Sequence, residues 1–131
     1  MSPLLIDTNV LIRYFKGDEI FAASIEVADA VVIHPVVYAE YLSVLDESTP
    51  AGREQRRILE EFLDAPAVMM AAMSTMTAIY YSKIYRHLKA IGKMIPQNDI
   101  WLAASALENG YELVSHDSHF ERIPMLRLMV G

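Results

Sequence analysis

Short, unbroken apolar runs alternate along this chain with longer stretches in which apolar residues recur every three or four positions. The runs Leu4 to Ile6, Ala30 to Ile33, Ala67 to Met70, Glu112 to Ser115 and Met125 to Val130 read as strands. Between them lie helical patterns. The first runs through Val10, Leu11, Tyr14 and Phe15, with Asp7, Thr8 or Asn9 available as its cap, and breaks at Gly17-Asp18. A second spans about Glu19 to Val27. Pro35 suits the start of a third, which carries Val36 to Leu42. Ser48-Thr49-Pro50 opens a charged helix through Arg57 and Leu63. Ser74 or Thr75 caps a long helix with Ala78, Tyr81, Ile84, Tyr85 and Leu88 on one side, ending at Gly92. Asn98 is expected to cap a last helix from Asp99 to Leu107, stopped by Asn109-Gly110.

Continuous apolar strands alternating with helices are the pattern of a parallel sheet covered on both faces, so an α/β fold with a mainly parallel central sheet is expected. The 131 residues are most simply one domain, spanning 1–131, without repeat or linker. In such sheets the functional cleft lies beyond the carboxyl ends of the strands. Asp7 and Asp117 each follow an expected strand, which sets them on the same edge.

Composition narrows the setting. Hydrophobic residues make up 53%, too many for a disordered or purely solvating chain. The absence of cysteine removes disulfide frameworks and thiolate metal sites, and fits a reducing cytoplasm. No basic region precedes the first apolar run, so a secretory leader is not expected. Residues 65–82 lack charge, but Pro66, Ser74, Thr75 and Thr77 interrupt them, which argues for a strand and a capped helix over a membrane span. The net charge of −6 argues against bulk electrostatic gripping of nucleic acid. It does not exclude an acidic cluster neutralised by cations. Charge is also uneven: residues 65–98 carry +4, from Lys83, Arg86, Lys89 and Lys93, and the remaining residues carry −10.

Four acids stand at informative places. Asp7 and Asp99 border helices, where each taken singly is explicable as a capping or dipole-compensating acid. Glu40 stands among Val36, Val37, Tyr41 and Leu42, where a glutamate has less structural purpose. Asp117 follows the strand at Leu113 to Ser115. Carboxylates that converge repel one another unless cations lie between them, which makes a divalent metal site the leading hypothesis.

In order and spacing, the segments Ile6-Asp7-Thr8-Asn9-Val10-Leu11-Ile12, Val37-Tyr38-Ala39-Glu40-Tyr41-Leu42, Asn98-Asp99-Ile100-Trp101-Leu102-Ala103-Ala104 and Leu113-Val114-Ser115-His116-Asp117-Ser118-His119-Phe120 resemble those of the PIN domain, in particular the VapC-type toxin ribonucleases. Ala78, Tyr81, Ile84, Leu88 and Gly92 match the pattern that precedes the third acid. The resemblance covers almost the whole chain and implies a three-layer α/β/α fold. It implies a metal-dependent endoribonuclease in which Asp7, Glu40, Asp99 and Asp117 hold Mg²⁺ or Mn²⁺. The expected products are a 5′-phosphate and a 3′-hydroxyl. Thr8, Asn9 and Ser115 would orient the carboxylates by hydrogen bonds. A homodimer and an antitoxin-binding groove near Ile20, Phe21, Ile25, Tyr41, Leu42 and Leu45 are further implications. The chain departs from the family in Ser115, where threonine is commoner, and in Ser118-His119-Phe120, which lacks a further acid beside the phenylalanine.

Other readings compete. Lys83, Arg86, Lys89 and Lys93 recur at three and four residues along one helix face, either an RNA phosphate track or a solvated face. A catalytically inactive PIN-like module that binds RNA or protein is the alternative to the enzyme. An aspartyl-phosphate phosphatase of the haloacid-dehalogenase pattern wants an acid two residues after the first, where this chain has Asn9. Zinc at His116 and His119 is set aside for want of a third ligand, and both are expected as exposed loop residues. His34 and His87 carry no signal.

Overall fold

A computed structural model describes residues 2–131. Its elements are β1 (Leu4–Ile6), α1 (Thr8–Phe15), α2 (Ala22–Val27), β2 (Val31–Ile33), α3 (Pro35–Val44), α4 (Pro50–Leu63), β3 (Val68–Met70), α5 (Thr75–Ala90), α6 (Gln97–Asn109), β4 (Glu112–Ser115), a 3₁₀ turn (Ser118–Arg122) and β5 (Leu128–Val130). The strands form one sheet in the order β3-β2-β1-β4-β5, and all four pairings are parallel. The chain steps outward from β1 to β3, then crosses back to β4. Right-handed crossovers put the helices of these two excursions on opposite faces, giving the three-layer α/β/α arrangement. The point where strand order reverses lies between β1 and β4. That is where an open parallel sheet leaves a crevice.

The inner strands are buried because both of their faces are covered. Leu5, Ile6, Val32, Ile33, Leu113 and Val114 are wholly inaccessible, and each contributes about 1.5–3 kcal/mol by burial. The edge strands β3 and β5 keep Met69, Met70 and Val130 exposed. An aromatic cluster of Tyr14, Phe15, Tyr41 and Phe62 locks α1, α3 and α4 together in edge-on contacts.

Local chemistry sets the boundaries. The Asp7 side chain caps α1 by accepting from Thr8 N, Thr49 caps α4 from Gly52 N, and Ser74 forms a reciprocal capping box with Thr77. Four expectations need correction. The second helix starts only at Ala22, because the Asp18 carboxylate accepts from Ile20 N and turns the chain first. The last strand is confined to Leu128–Val130, since Met125 has a left-handed backbone (φ 64) that no strand accommodates. Residues 118–122 form a 3₁₀ turn that the pattern does not reveal. Asn98 does not cap α6: the helix begins at Gln97 with Pro96 before it, and no side chain caps it. Arg56 and Arg57 pair on the surface with Glu47, Glu54, Glu60 and Glu61.

Candidate active site

The parallel register builds the site. Leu5 pairs with Leu113 and Ile6 with Val114, and Asp7 N donates to Val114 O at 3.0 Å. Asp7 therefore stands beside Ser115, at the carboxyl ends of the two central strands. The Ser115 hydroxyl, fully buried, donates to Asp7 Oδ2 at 2.7 Å and accepts from Asp117 N at 2.9 Å. One serine thus ties the first acid to the backbone of the last. Thr8 N donates to the other Asp7 oxygen at 2.8 Å, so that carboxylate is held from both sides.

Glu40, in the second turn of α3, is held in the same manner. It accepts from Thr8 Oγ1 at 2.8 Å and from Asn98 Nδ2 at 2.9 Å. Asp99, in the first turn of α6, is only 9% exposed. It reaches His119, whose Nε2 lies 2.9 Å from Asp99 Oδ2, while His119 Nδ1 lies 3.1 Å from Asp117 Oδ1. The Asp117 side chain is half-exposed. Glu40 and Asp117 lie near enough to act electrostatically on Asp7, and Asp7, Asp117 and Glu40 near enough to act on Asp99.

Burial, followed by repulsion from Asp7, pushes the Asp99 carboxyl up to about 6; His119 opposes this, and Asp117 and Glu40 add to it. Asp7 is raised as well, mainly by burial, against hydrogen bonds from Ser115 and Thr8 that favour its charged form. Among the described residues no lysine or arginine pairs with any of the four acids. A carboxylate cluster at a switch point, with neither lysine nor arginine paired to it, suits a hard divalent cation, and the oxygen-rich donor set is the one that Mg²⁺ or Mn²⁺ takes. Asp99, Asp117 and His119 offer ligand atoms within 4.8 Å of one another. A cavity of about 120 Å³ opens on Asp7, Asn9, His116 and Asp117.

The remaining candidates are placed as follows. Asn9 is exposed and holds no carboxylate, although it lines that cavity. His116 packs against Phe21 and lies 3.2 Å from Gly131 O through Nδ1. Lys83, Arg86, Lys89 and Lys93 are exposed and unpaired with acids, and Lys83 lies over the Tyr80 ring. Lys83 also borders a mostly apolar cavity of about 530 Å³ with Gly110 and Tyr111, at the end of α6 away from Asp99. Phe21, Ile25 and Tyr41 belong to the core, Leu42 and Leu45 pack against it, and Ile20 is exposed.

Three residues escaped the sequence reading. His119, expected as an exposed loop residue, has a side chain only 16% exposed and sits between two acids. Its signal was the family departure itself, a histidine where an acid is usual. Asn98, expected as a cap, instead holds Glu40. His34, read as without signal, is wholly buried and caps α3 by accepting from Val36 N at 3.0 Å, and burial lowers it to about 4.

Fold and site together are those of an α/β domain built around a tethered acid cluster at the switch point of a parallel sheet. The PIN domain family matches residues 4–126, and the chain belongs to it. It is 29% identical to ribonuclease VapC1 of Methanocaldococcus jannaschii, over 98% of this chain and 87% of that protein. Its fold matches VapBC2 of Rickettsia felis, crystallised on a DNA fragment from its promoter, with a TM-score of 0.86 at 22% identity and 98% coverage of both chains. It also matches VapBC-5 of Mycobacterium tuberculosis, described as a member of the VapBC family of toxin–antitoxin systems, with a TM-score of 0.72 at 22% identity, over 99% of this chain and 98% of that one.

Proposed function

We propose that this chain is a VapC-type endoribonuclease, the toxin of a toxin–antitoxin pair, using Mg²⁺ or Mn²⁺ held by Asp7, Glu40, Asp99 and Asp117. The observation that carries the reading is the gathering of four acids at the switch point with no lysine or arginine among the described residues paired to them. Its support is the family, together with a relative named as a ribonuclease over nearly the whole chain. Bound divalent ions supply water activation and stabilise charge in the hydrolysis of an RNA phosphodiester.

The protein's own residues do the positioning. Thr8 N and Ser115 fix both oxygens of Asp7, and Thr8 Oγ1 with Asn98 fixes Glu40. Asp117 is aimed by its backbone bond to Ser115. Arg86, Lys89 and Lys93 suit the phosphate track best, because α5 runs toward the start of α6, where Asp99 stands. Lys83, bordering the cavity at the opposite end of α6, suits it least.

The antitoxin segment would lie in the groove of about 370 Å³ lined by Ile12, Phe15, Tyr41, Val44, Leu45 and Ile58. Exposed Met73, Met76 and Ile79 near the start of α5 offer a face for a homodimer. Among the described residues no helix is long and apolar enough to cross a membrane, and a cytoplasmic site of action accords with the RNA substrate. The test is cleavage of total RNA by the wild type, Asp7→Asn and Asp99→Asn with Mg²⁺ or Mn²⁺. Loss of about 10²-fold or more in rate is expected for each variant, the scale of removing one key electrostatic group. Undiminished cleavage by both refutes the assignment of the site.

A further inference from the structure

Among the acids stands one nitrogen donor, and its geometry is unusual for a counter-ion. His119 Nε2 is buried and has no hydrogen-bond partner, although Asp99 Oδ2 lies only 2.9 Å away. At that distance a ring N–H aimed at the oxygen would form a strong charge-assisted bond. The two atoms instead sit side by side. Adjacent ligands on an octahedral ion with bonds of about 2.1 Å are about 3 Å apart, so this is the spacing of two donors that share one ion.

The backbone holds His119 there. Phe120, wholly buried, anchors the 3₁₀ turn, and its ring meets the imidazole edge-on at 4.8 Å. Ile123 N donates to Phe120 O at 3.1 Å and closes the turn. His119 is therefore presented to the acids by a packed element, and the ligand atoms of Asp99, Asp117 and His119 cluster within 4.8 Å.

We propose that His119 is a direct metal ligand beside Asp99 and Asp117, and that its nitrogen makes the site prefer a first-row transition ion such as Mn²⁺ over Mg²⁺. The inference rests on the metal-site reading above and deepens it. Mg²⁺ is a hard ion that keeps to oxygen and water and gains little from an imidazole, whereas first-row transition ions accept the nitrogen readily. An acid at this position would leave an all-oxygen set without that preference.

The competing role is a counter-cation that only offsets the acids, and it predicts the opposite sign. A counter-cation competes with the metal, so removing it strengthens binding; removing a ligand weakens it. Calorimetric titration of the wild type, His119→Gln and His119→Asp with Mn²⁺ alone and with Mg²⁺ alone separates the two. Electron spin-echo spectroscopy of the Mn²⁺-loaded wild type, which depends on no variant, asks directly for a coupled ¹⁴N.

The expected results are nitrogen modulation in the wild type that is lost in His119→Gln and kept in His116→Gln. His119→Gln should bind Mn²⁺ at least about tenfold more weakly, with a smaller change for Mg²⁺. His119→Asp should lower the preference for Mn²⁺ over Mg²⁺ by about tenfold. Mn²⁺ bound without nitrogen modulation, or bound as tightly by folded His119→Gln, overturns the ligand assignment and leaves the acid site standing. A wild type that binds neither ion, or an Asp99→Asn variant that binds Mn²⁺ unchanged, overturns the metal site itself and this inference with it.

Discussion

Replacing Asp99 with asparagine should stabilise the metal-free protein while abolishing its function. The carboxyl of Asp99 is raised from an ordinary value of 3.8 to about 6 by burial and by repulsion from Asp7. A raised folded-state value means that folding favours the protonated form. The stability it confers is present in full below about pH 3.8 and lost as pH rises through about 6. The difference of about 2.2 pH units is worth about 3 kcal/mol, which the ionised carboxylate costs the metal-free protein at pH 8. Asparagine keeps the shape and never ionises. For a domain of this size 3 kcal/mol corresponds to a melting-temperature gain of roughly 10 °C.

Thermal unfolding of both proteins in a chelator, from about pH 3.5 to about pH 8, checks this. The two curves should nearly coincide only at the acid end, draw apart as pH rises from about 3.8 to about 6, and keep a constant gap above that. Adding Mn²⁺ at pH 8 should raise the wild type more than the variant, because asparagine removes one of the acids that hold the cation. A stability gap independent of pH, or a variant less stable than the wild type at pH 8, would refute the claim that Asp99 is ionised at an electrostatic cost.

Three further substitutions probe the supports. Ser115→Ala removes the bonds to Asp7 Oδ2 and from Asp117 N, and should weaken Mn²⁺ binding about 10–100-fold in a calorimetric titration, with the fold intact by circular dichroism. Asn98→Ala should weaken Mn²⁺ binding about tenfold through Glu40. It should cost less helix stability in urea melts than the roughly 1 kcal/mol of a lost cap, since Asn98 caps nothing. Gly52→Ala drives a methyl to 1.8 Å from the Asp46 backbone oxygen, a contact that no side-chain rotation relieves, and should destabilise by about 3 kcal/mol in the same melts with metal binding unchanged once folded.

The sheet was legible because its strands announce themselves as continuous apolar runs with both faces covered, and Leu4–Ile6 and Glu112–Ser115 match expectation residue for residue. Helix starts were legible wherever a side chain does the capping, as at Asp7, Thr49 and Ser74. What local pattern could not supply was the direction of side chains whose partners are remote in sequence. Asn98 looks like a cap because most asparagines before a helix are caps, but its partner Glu40 is 58 residues away. His119 looks like a loop residue because its neighbours from His116 to Arg122 are polar except Phe120. Its burial comes from α6 and the end of β4, which only the folded sheet brings together. Ser115 was expected to orient the carboxylates, and it accepts from Asp117 N nearby; its bond to Asp7, 108 residues away, is created by the parallel pairing of β1 with β4.

The capping and metal-holding readings of the border acids are not rivals of equal standing at both positions. At Asp7 they coincide, since one oxygen accepts from Thr8 N and starts α1 while the other accepts from Ser115. A lone cap needs only the first bond; the second fixes the carboxylate's plane, which helix formation does not require. At Asp99 the two readings separate. It stands in the first turn of α6, a helix with no side-chain cap, and could have satisfied that turn's free N–H groups. It turns instead toward His119 and the other acids, where burial and repulsion work against its charge. A residue that forgoes an available favourable bond for an electrostatically costly position is held there by the surrounding fold, and such strain concentrates where a ligand relieves it.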